Sequence, residues 1–353
     1  MIETGFAGVD LFFVISGFIM VYVTGQVRPR PMTSIAFLFA RAARIYPLWW
    51  LFASIMALYF LIAYGVMYDV ERTVHAGAMV EQHPWLYVVW SFLLWPQNAV
   101  PIFGLGWTLI HEMHFYLVFA VLILLPRVLL PWLLGLWAAL VVAGSLYGLS
   151  APFAGNYVQL FFHPLSVEFI AGCYAALLVT SGRRLWPWLI TAAGAAIMIA
   201  GLILQGDETA FTLGWGRVLW FGIPSFLIVY GFASLEAEDK LKPPQWLVTL
   251  GDWSFAIYLA HTFVLTGLRR VFESLAVRLA GTPYADWFTI GAPGRMDNIL
   301  YYVLGITLSL ILSGLVFYLF ERPVMKVTGG WRRSIFKHTN AQLKPGPIKP
   351  AIW

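Results

Sequence analysis

Asp10, Glu112, His114, Glu168 and His261 interrupt otherwise apolar stretches of this 353-residue chain. A charge held at bilayer depth costs roughly 2.5 kcal/mol or more, so side chains kept there are functional candidates by default. Outside the apolar runs, Arg41-Ala-Ala-Arg44 sets two guanidiniums at i, i+3 spacing, on one helical face. That arrangement suits bidentate recognition of phosphate. It also suits a plain pair of positive anchors at the cytoplasmic side of a membrane. An anion site beside acid–base groups describes a membrane enzyme better than a membrane scaffold.

Two segments carry polar stripes. Ser254, Tyr258 and His261 follow i, i+4, i+7 spacing, as do Trp107, His111 and His114, with Thr108 and Glu112 on an adjacent line. Such faces are expected to turn toward a bundle interior or a wet cavity rather than lipid. A lone intramembrane histidine or carboxyl group can also be a packing hydrogen bond, and for Glu168 and His114 both readings stay open. Asp10, Glu112, Glu168 and His261 make a stronger set, because four different helices bring them into one half of the membrane. His111-Glu112-Met113-His114 does not match His-Glu-x-x-His and has no evident third ligand, so no metal is expected.

Composition identifies the elements that must position these groups. Hydrophobic residues make up 60% of the chain and charged ones 11%, against about 25% charged in a soluble domain. The 17 Trp and 16 Tyr suit interfacial aromatic belts. Cys173 is the single cysteine, so no intrachain disulfide can form. The net charge of +5 comes from basic residues near span ends and does not indicate nucleic acid. The fold class expected is an all-α, polytopic integral membrane bundle.

A spanning helix needs about 20 mainly apolar residues. Runs near 8–24, 46–66, 107–126, 131–149, 161–181, 187–205, 217–235, 247–270 and 298–320 predict nine. The apolar stretch 86–103 is broken by Pro96 and Pro101 and reads as a re-entrant or interfacial piece. Residues 1–328 form one transmembrane domain, and 329–353 a cytoplasmic tail, disordered where Pro345, Pro347 and Pro350 cluster. Sixteen of the 22 Lys and Arg residues fall on the side holding Arg41, Arg44 and the C-terminus, which places that side in the cytoplasm. Nine spans then leave the N-terminus outside without an export signal. The reading is therefore of a ten-helix protein shortened at its N-terminus.

The motifs resemble the acyltransferase-3 group of bacterial membrane O-acyltransferases, which includes exopolysaccharide and lipopolysaccharide O-acetyltransferases. The segments that carry the resemblance are Gly8-Val-Asp-Leu-Phe-Phe-Val-Ile-Ser-Gly-Phe18, Arg41-Ala-Ala-Arg44-Ile-Tyr-Pro47, and Trp107-Thr-Leu109 with Glu112 and Phe115-Tyr116. Glu168-Phe-Ile-Ala-Gly172, Leu250-Gly251 with Ser254-Phe255 and Tyr258-Leu-Ala-His261, and Phe320-Glu-Arg-Pro323 complete it. The resemblance implies transfer of an acyl group, expected to be acetyl from acetyl-CoA, onto a sugar hydroxyl of a surface polysaccharide or its lipid-linked precursor. Arg41 and Arg44 would hold the acyl-CoA phosphates. Glu112 and Asp10 would orient a catalytic imidazole or shape the acceptor pocket, with His261 the third catalytic candidate. Ser254, Tyr258 and Glu168 are candidates for acceptor contacts. Glu321-Arg322 reads as a structural ion pair ahead of an acyl-CoA contact. The group's first helix supplies an Arg and a His, and no residue of this chain matches them.

Expected partners are acyl-CoA, a glycan or lipid-linked glycan, membrane lipids and polysaccharide-biosynthesis proteins, with no nucleic acid. The expected location is the bacterial inner membrane. Two rival readings are a flippase for polyprenyl-linked glycans and a catalytically inactive truncated acyltransferase. A transporter fold is often built on inverted repeats, and none is visible here.

Overall fold

A computed structural model describes residues 6–64, 84–151, 154–209, 213–291 and 298–336. Among the described residues every regular element is helical. In chain order they are α1 (Ala7–Val23), α2 (Pro31–Tyr64), α3 (Pro84–Leu93), α4 (Gly106–Leu122), α5 (Leu130–Leu146) and α6 (Tyr157–Phe161). After these come α7 (Ser166–Thr180), α8 (Pro187–Thr209), α9 (Trp215–Ala237), α10 (Gln245–Arg278) and α11 (Ile299–Ile335). A helix stands at each of the nine expected spans, and the chain is a polytopic membrane helical protein.

Six of the nine are long and apolar enough to cross a bilayer; the shorter apolar helices are α1, α4 and α7. Those three, of 17, 17 and 15 residues, reach only about 22–25 Å at 1.5 Å per residue. They bear Asp10, Glu112, His114 and Glu168, all buried. The longer helix α8 presents mostly exposed aliphatic side chains instead. The polar groups thus sit on short inner helices.

Glycine sets the closest contact. A Cβ at Gly17 would lie 2.0 Å from the Phe169 carbonyl oxygen, and one at Gly172 1.9 Å from that of Val14. Small residues let membrane helices approach backbone to backbone, so these two glycines let α1 and α7 pack face to face. Cys173 adds an Sγ–H bond to the Gly17 carbonyl at 3.4 Å.

The stretch 86–103 folds as expected: α3 stops at Leu93 and irregular backbone runs to α4. Backbone groups at membrane depth must find partners within the protein. Three α2 side chains supply donors to the end of α3: Tyr46 Oη to the Leu93 carbonyl (2.7 Å), Trp49 Nε1 to Ser91 (3.1 Å) and Trp50 Nε1 to Phe92 (3.0 Å). The Ser91 hydroxyl accepts from Gln97 Nε2 and the Ile102 N–H, both at 3.1 Å. Tyr87 donates to the Val100 carbonyl at 2.8 Å. Leu94 reverses the chain at φ 53°, buried despite the left-handed backbone.

Three boundaries differ from expectation. Residues 31–45, expected as a loop, form the first turns of α2, so Arg41 and Arg44 lie on a helix. The span expected from 161 begins only at Ser166, because Pro164 disfavours helical backbone at His163. The last helix runs on to Ile335 through a π turn at Phe317–Glu321, so residues 329–335 are helical and not a disordered tail. Residues 337–353 lie outside the described residues.

Basic side chains near one end of the bundle cap helix carboxyl termini, where orphan carbonyls and the helix dipole favour cations. Arg127 donates to the Thr24 carbonyl after α1 at 2.8 Å. Arg184 donates to Val179 at 3.1 Å and Ala237 at 3.0 Å, serving α7 and α9. We call this the basic end.

Candidate active site

Two buried polar centres lie along α1, six residues apart. At the first, away from the basic end, Asp10 receives Arg217 Nε at 2.8 Å and Nη2 at 3.0 Å in a bidentate pair. Arg217 also donates to the Phe6 carbonyl at 2.7 Å and lies over the Phe6 and Trp107 rings. Both partners are sealed, with side chains 1% and 0% exposed. Glu168 packs against this pair, its carboxyl group beside that of Asp10. Its carboxyl group rests on Gly222, where a Cβ would come within 3.0 Å of Oε1. Gly222 ends the π turn Val218–Gly222 that follows Arg217.

Arg217 is not among the candidates named from the sequence. The signal that could have placed it is its position at the first residue of an apolar span, where a cation needs an acid partner. Asp10, read as orienting an imidazole or shaping the acceptor pocket, is bonded to this guanidinium.

The second centre is Glu112. Its Oε1 accepts from the Tyr116 hydroxyl and from Ser16 Oγ, the latter at 3.3 Å. Tyr116 lies one turn nearer the basic end, and the Arg41 guanidinium lies over its ring at 5.9 Å and over Phe37 at 5.7 Å. Arg41 Nε is buried and has no acceptor among the described residues. Arg44, one turn on, is exposed and acts electrostatically on Glu112 and on Glu321. The arginines therefore reach into the bundle. Through Tyr116, Arg41 meets the Glu112 carboxylate.

Glu321 is 4% exposed, and its Oε2 has no partner among the described residues. The ion pair expected with Arg322 is not formed: Arg322 lies over the Tyr318 ring at 5.8 Å. On adjacent helical positions the two side chains diverge by about 100° and do not face each other.

On α10 the buried stripe is Phe255, Ala256, Leu259 and Ala260, and the polar stripe flanks it. Tyr258 turns inward, 2.6 Å from Thr108 Oγ1 and 3.1 Å from the Leu105 carbonyl, which accepts its proton. Its ring stacks on Phe12. His261 is half-buried beside Tyr258, with ring centroids 6.2 Å apart. Its Nδ1 lies 3.0 Å from the Ile257 carbonyl. A carbonyl only accepts, so Nδ1 carries the hydrogen and the neutral ring keeps its lone pair on Nε2. Ser254 is exposed and, contrary to the expected interior stripe, lies off the buried face.

His114 belongs to a third cluster. Its ring nitrogens are buried without a partner among the described residues, and its ring faces Tyr157 and Phe161. His163, which the sequence reading passed over, packs with its ring centroid 4.5 Å from that of His111. His163 Nδ1 accepts the Leu165 N–H at 3.2 Å. Among the described residues no group of His, Cys, Asp and Glu is placed to hold a metal ion.

A family model described as an acyltransferase domain matches residues 2–318. The chain is 32% identical over 312 residues to the exopolysaccharide production protein ExoZ of Rhizobium meliloti (strain 1021), covering 85% of this chain and 88% of that one. It is 25% identical over 347 residues to the acyltransferase MdmB of Streptomyces mycarofaciens, covering 92% and 82%. No solved structure matches it.

Proposed function

We propose, for this chain, which belongs to the acyltransferase family and is a membrane O-acyltransferase, that the donor is a cytoplasmic acyl-CoA and the acceptor a glycan hydroxyl. The acyl group is acetyl, the acceptor a surface polysaccharide or its lipid-linked precursor, and the location the bacterial inner membrane with the basic end inside. Support for the acceptor class comes from the relative named for exopolysaccharide production. Support for the donor comes from Arg41, whose buried Nε has no acceptor among the described residues. A buried guanidinium left incompletely bonded is costly, and the phosphates of an acyl-CoA would complete it, with Arg44 one turn away.

In the reaction the acceptor oxygen attacks the thioester carbonyl carbon, the new C–O bond forms and the C–S bond breaks. The hydroxyl proton passes to a base, and the departing thiolate is protonated. His261 Nε2 is the acceptor of that proton in this reading, with Nδ1–H anchored on the Ile257 carbonyl. Tyr258 and Thr108 supply hydroxyl groups beside it. Glu112, oriented by Tyr116 and Ser16, lies between this group and the arginines.

The test is labelled acetyl-CoA with purified protein in nanodiscs and an oligosaccharide acceptor. Acceptor-dependent loss of the thioester is expected, with His261→Asn lowering turnover at least about 100-fold. Glu112→Gln should also lose turnover while keeping its fold, since Gln retains the Oε1 acceptor for Ser16 and Tyr116. If Arg41→Ala/Arg44→Ala moves lipid-linked glycan across the bilayer as well as the parent does and the parent never consumes thioester, the flippase reading replaces this one.

A further inference from the structure

We propose that the C-terminal part of α11, Arg322–Ile335, is an interfacial helix that docks on the anionic phospholipid surface at the basic end. The inference is independent of the reaction.

Its orientation follows from its two ends. Glu321 lies in the field of Arg44, and Phe336 packs its ring 5.8 Å from that of Phe39. The segment between is about 22 Å of helix, yet both the π turn and the helix beyond it pack on α2, and the far end meets Phe39, five residues or about 8 Å along α2 from Arg44. The segment therefore lies across α2. The π turn at Phe317–Glu321, followed by Pro323, sits where the direction must change. Arg322–Ile335 thus runs across the basic end, not out from it.

Its exposed side chains divide into two faces. Val327, Trp331 and Ile335 are 53%, 58% and 62% exposed and recur every fourth residue, one continuous apolar line. Arg322, Lys326 and Arg333 are exposed and fall within about 40° of one another on the opposite side of the helix. The remaining face packs against α2 and the π turn. An apolar line opposite a basic face, in a helix crossing the end of a membrane bundle, matches a lipid interface by both burial and charge. The apolar side chains enter the headgroup–acyl boundary, and the cations sit in the negative potential of anionic headgroups. A soluble acidic partner would satisfy the cations but leave the Val327–Trp331–Ile335 line in water.

The experiment uses the full chain in nanodiscs of pure phosphatidylcholine or of phosphatidylcholine with phosphatidylglycerol. A nitroxide is attached through Trp331→Cys; Cys173 is buried, so the new thiol takes the label. In discs with phosphatidylglycerol the label at 331 should relax with dissolved oxygen and be shielded from an aqueous nickel chelate, whereas one at Arg333→Cys should meet the chelate. Replacing Lys326 or Arg333 by Gln should weaken seating in the anionic discs about five-fold per charge, with little change in phosphatidylcholine. The proposal is overturned if position 331 meets the chelate as freely as 333 in both compositions. Shielding that depends on protein concentration and not on phosphatidylglycerol also overturns it, because the line would then be covered by a second copy.

Discussion

Arg217, fully buried, and Arg41, half-buried with its Nε sealed, are two guanidiniums inside a membrane bundle, and they are treated in opposite ways. Arg217 is saturated: two bonds to Asp10, one to the Phe6 carbonyl, and aromatic rings on its faces. Arg41 has two aromatic rings beside it and a buried Nε that meets no acceptor among the described residues. The first is a finished structural pair tying α1 to α9. The second, under the proposed function, is left open for the phosphates of the donor. The two differ in satisfaction as well as in burial, and under the proposed function that difference separates a charge that holds the fold from one left to bind a ligand.

Breaking the finished pair should have the largest effect. Arg217→Ala leaves two carboxyl groups buried without their cation, and a loss of about 3–5 kcal/mol is expected, read as a lower unfolding temperature and poor recovery in detergent. An unchanged melting profile would move Arg217 to the working class. Arg41→Ala and Arg44→Ala should each raise the KM for acetyl-CoA about 10- to 100-fold, the worth of charged hydrogen bonds, while melting normally. Loss of stability without loss of affinity would erase the contrast. Tyr258→Phe removes one hydroxyl from the Thr108–Leu105 contact and should cost about 1 kcal/mol in the melt, with a smaller change in KM. Ser254→Ala, at an exposed position, should stay within about 0.5 kcal/mol of the parent and leave turnover alone. A large defect there would mean that the exposed flank of α10 lines the acceptor path.

Most of the fold was legible because apolar runs of bilayer length dictate helices, and Pro96 and Pro101 broke the one run that does not cross. Errors fell where charge was taken for loop. Arg41 and Arg44 read as loop ahead of a span, yet helix runs through both, with the Arg41 guanidinium over the Phe37 and Tyr116 rings and Arg44 left exposed. Glu321-Arg322-Pro323 seemed to close the last span, but a π turn absorbs the change of direction. The candidate residues were readable one by one, since an intramembrane charge is conspicuous. Their partners were not. Nothing in the spacing of Asp10 and Arg217, or of Glu112 and Arg41, says which helices touch. That is decided by close approaches such as Gly17 against Phe169, which lie beyond any local period.

One rigid rod carries both ends of the machine. Arg41 and Arg44 stand on α2 directly before Tyr46, Trp49 and Trp50, the side chains from which the end of α3 is suspended. The helical rise sets the spacing between the proposed donor seat and the irregular backbone after α3, so α2 acts as a spacer between them. Each residue inserted between Arg44 and Tyr46 would shift one against the other by about 1.5 Å and turn it by about 100°. The length of that short segment is therefore under tighter constraint than its composition.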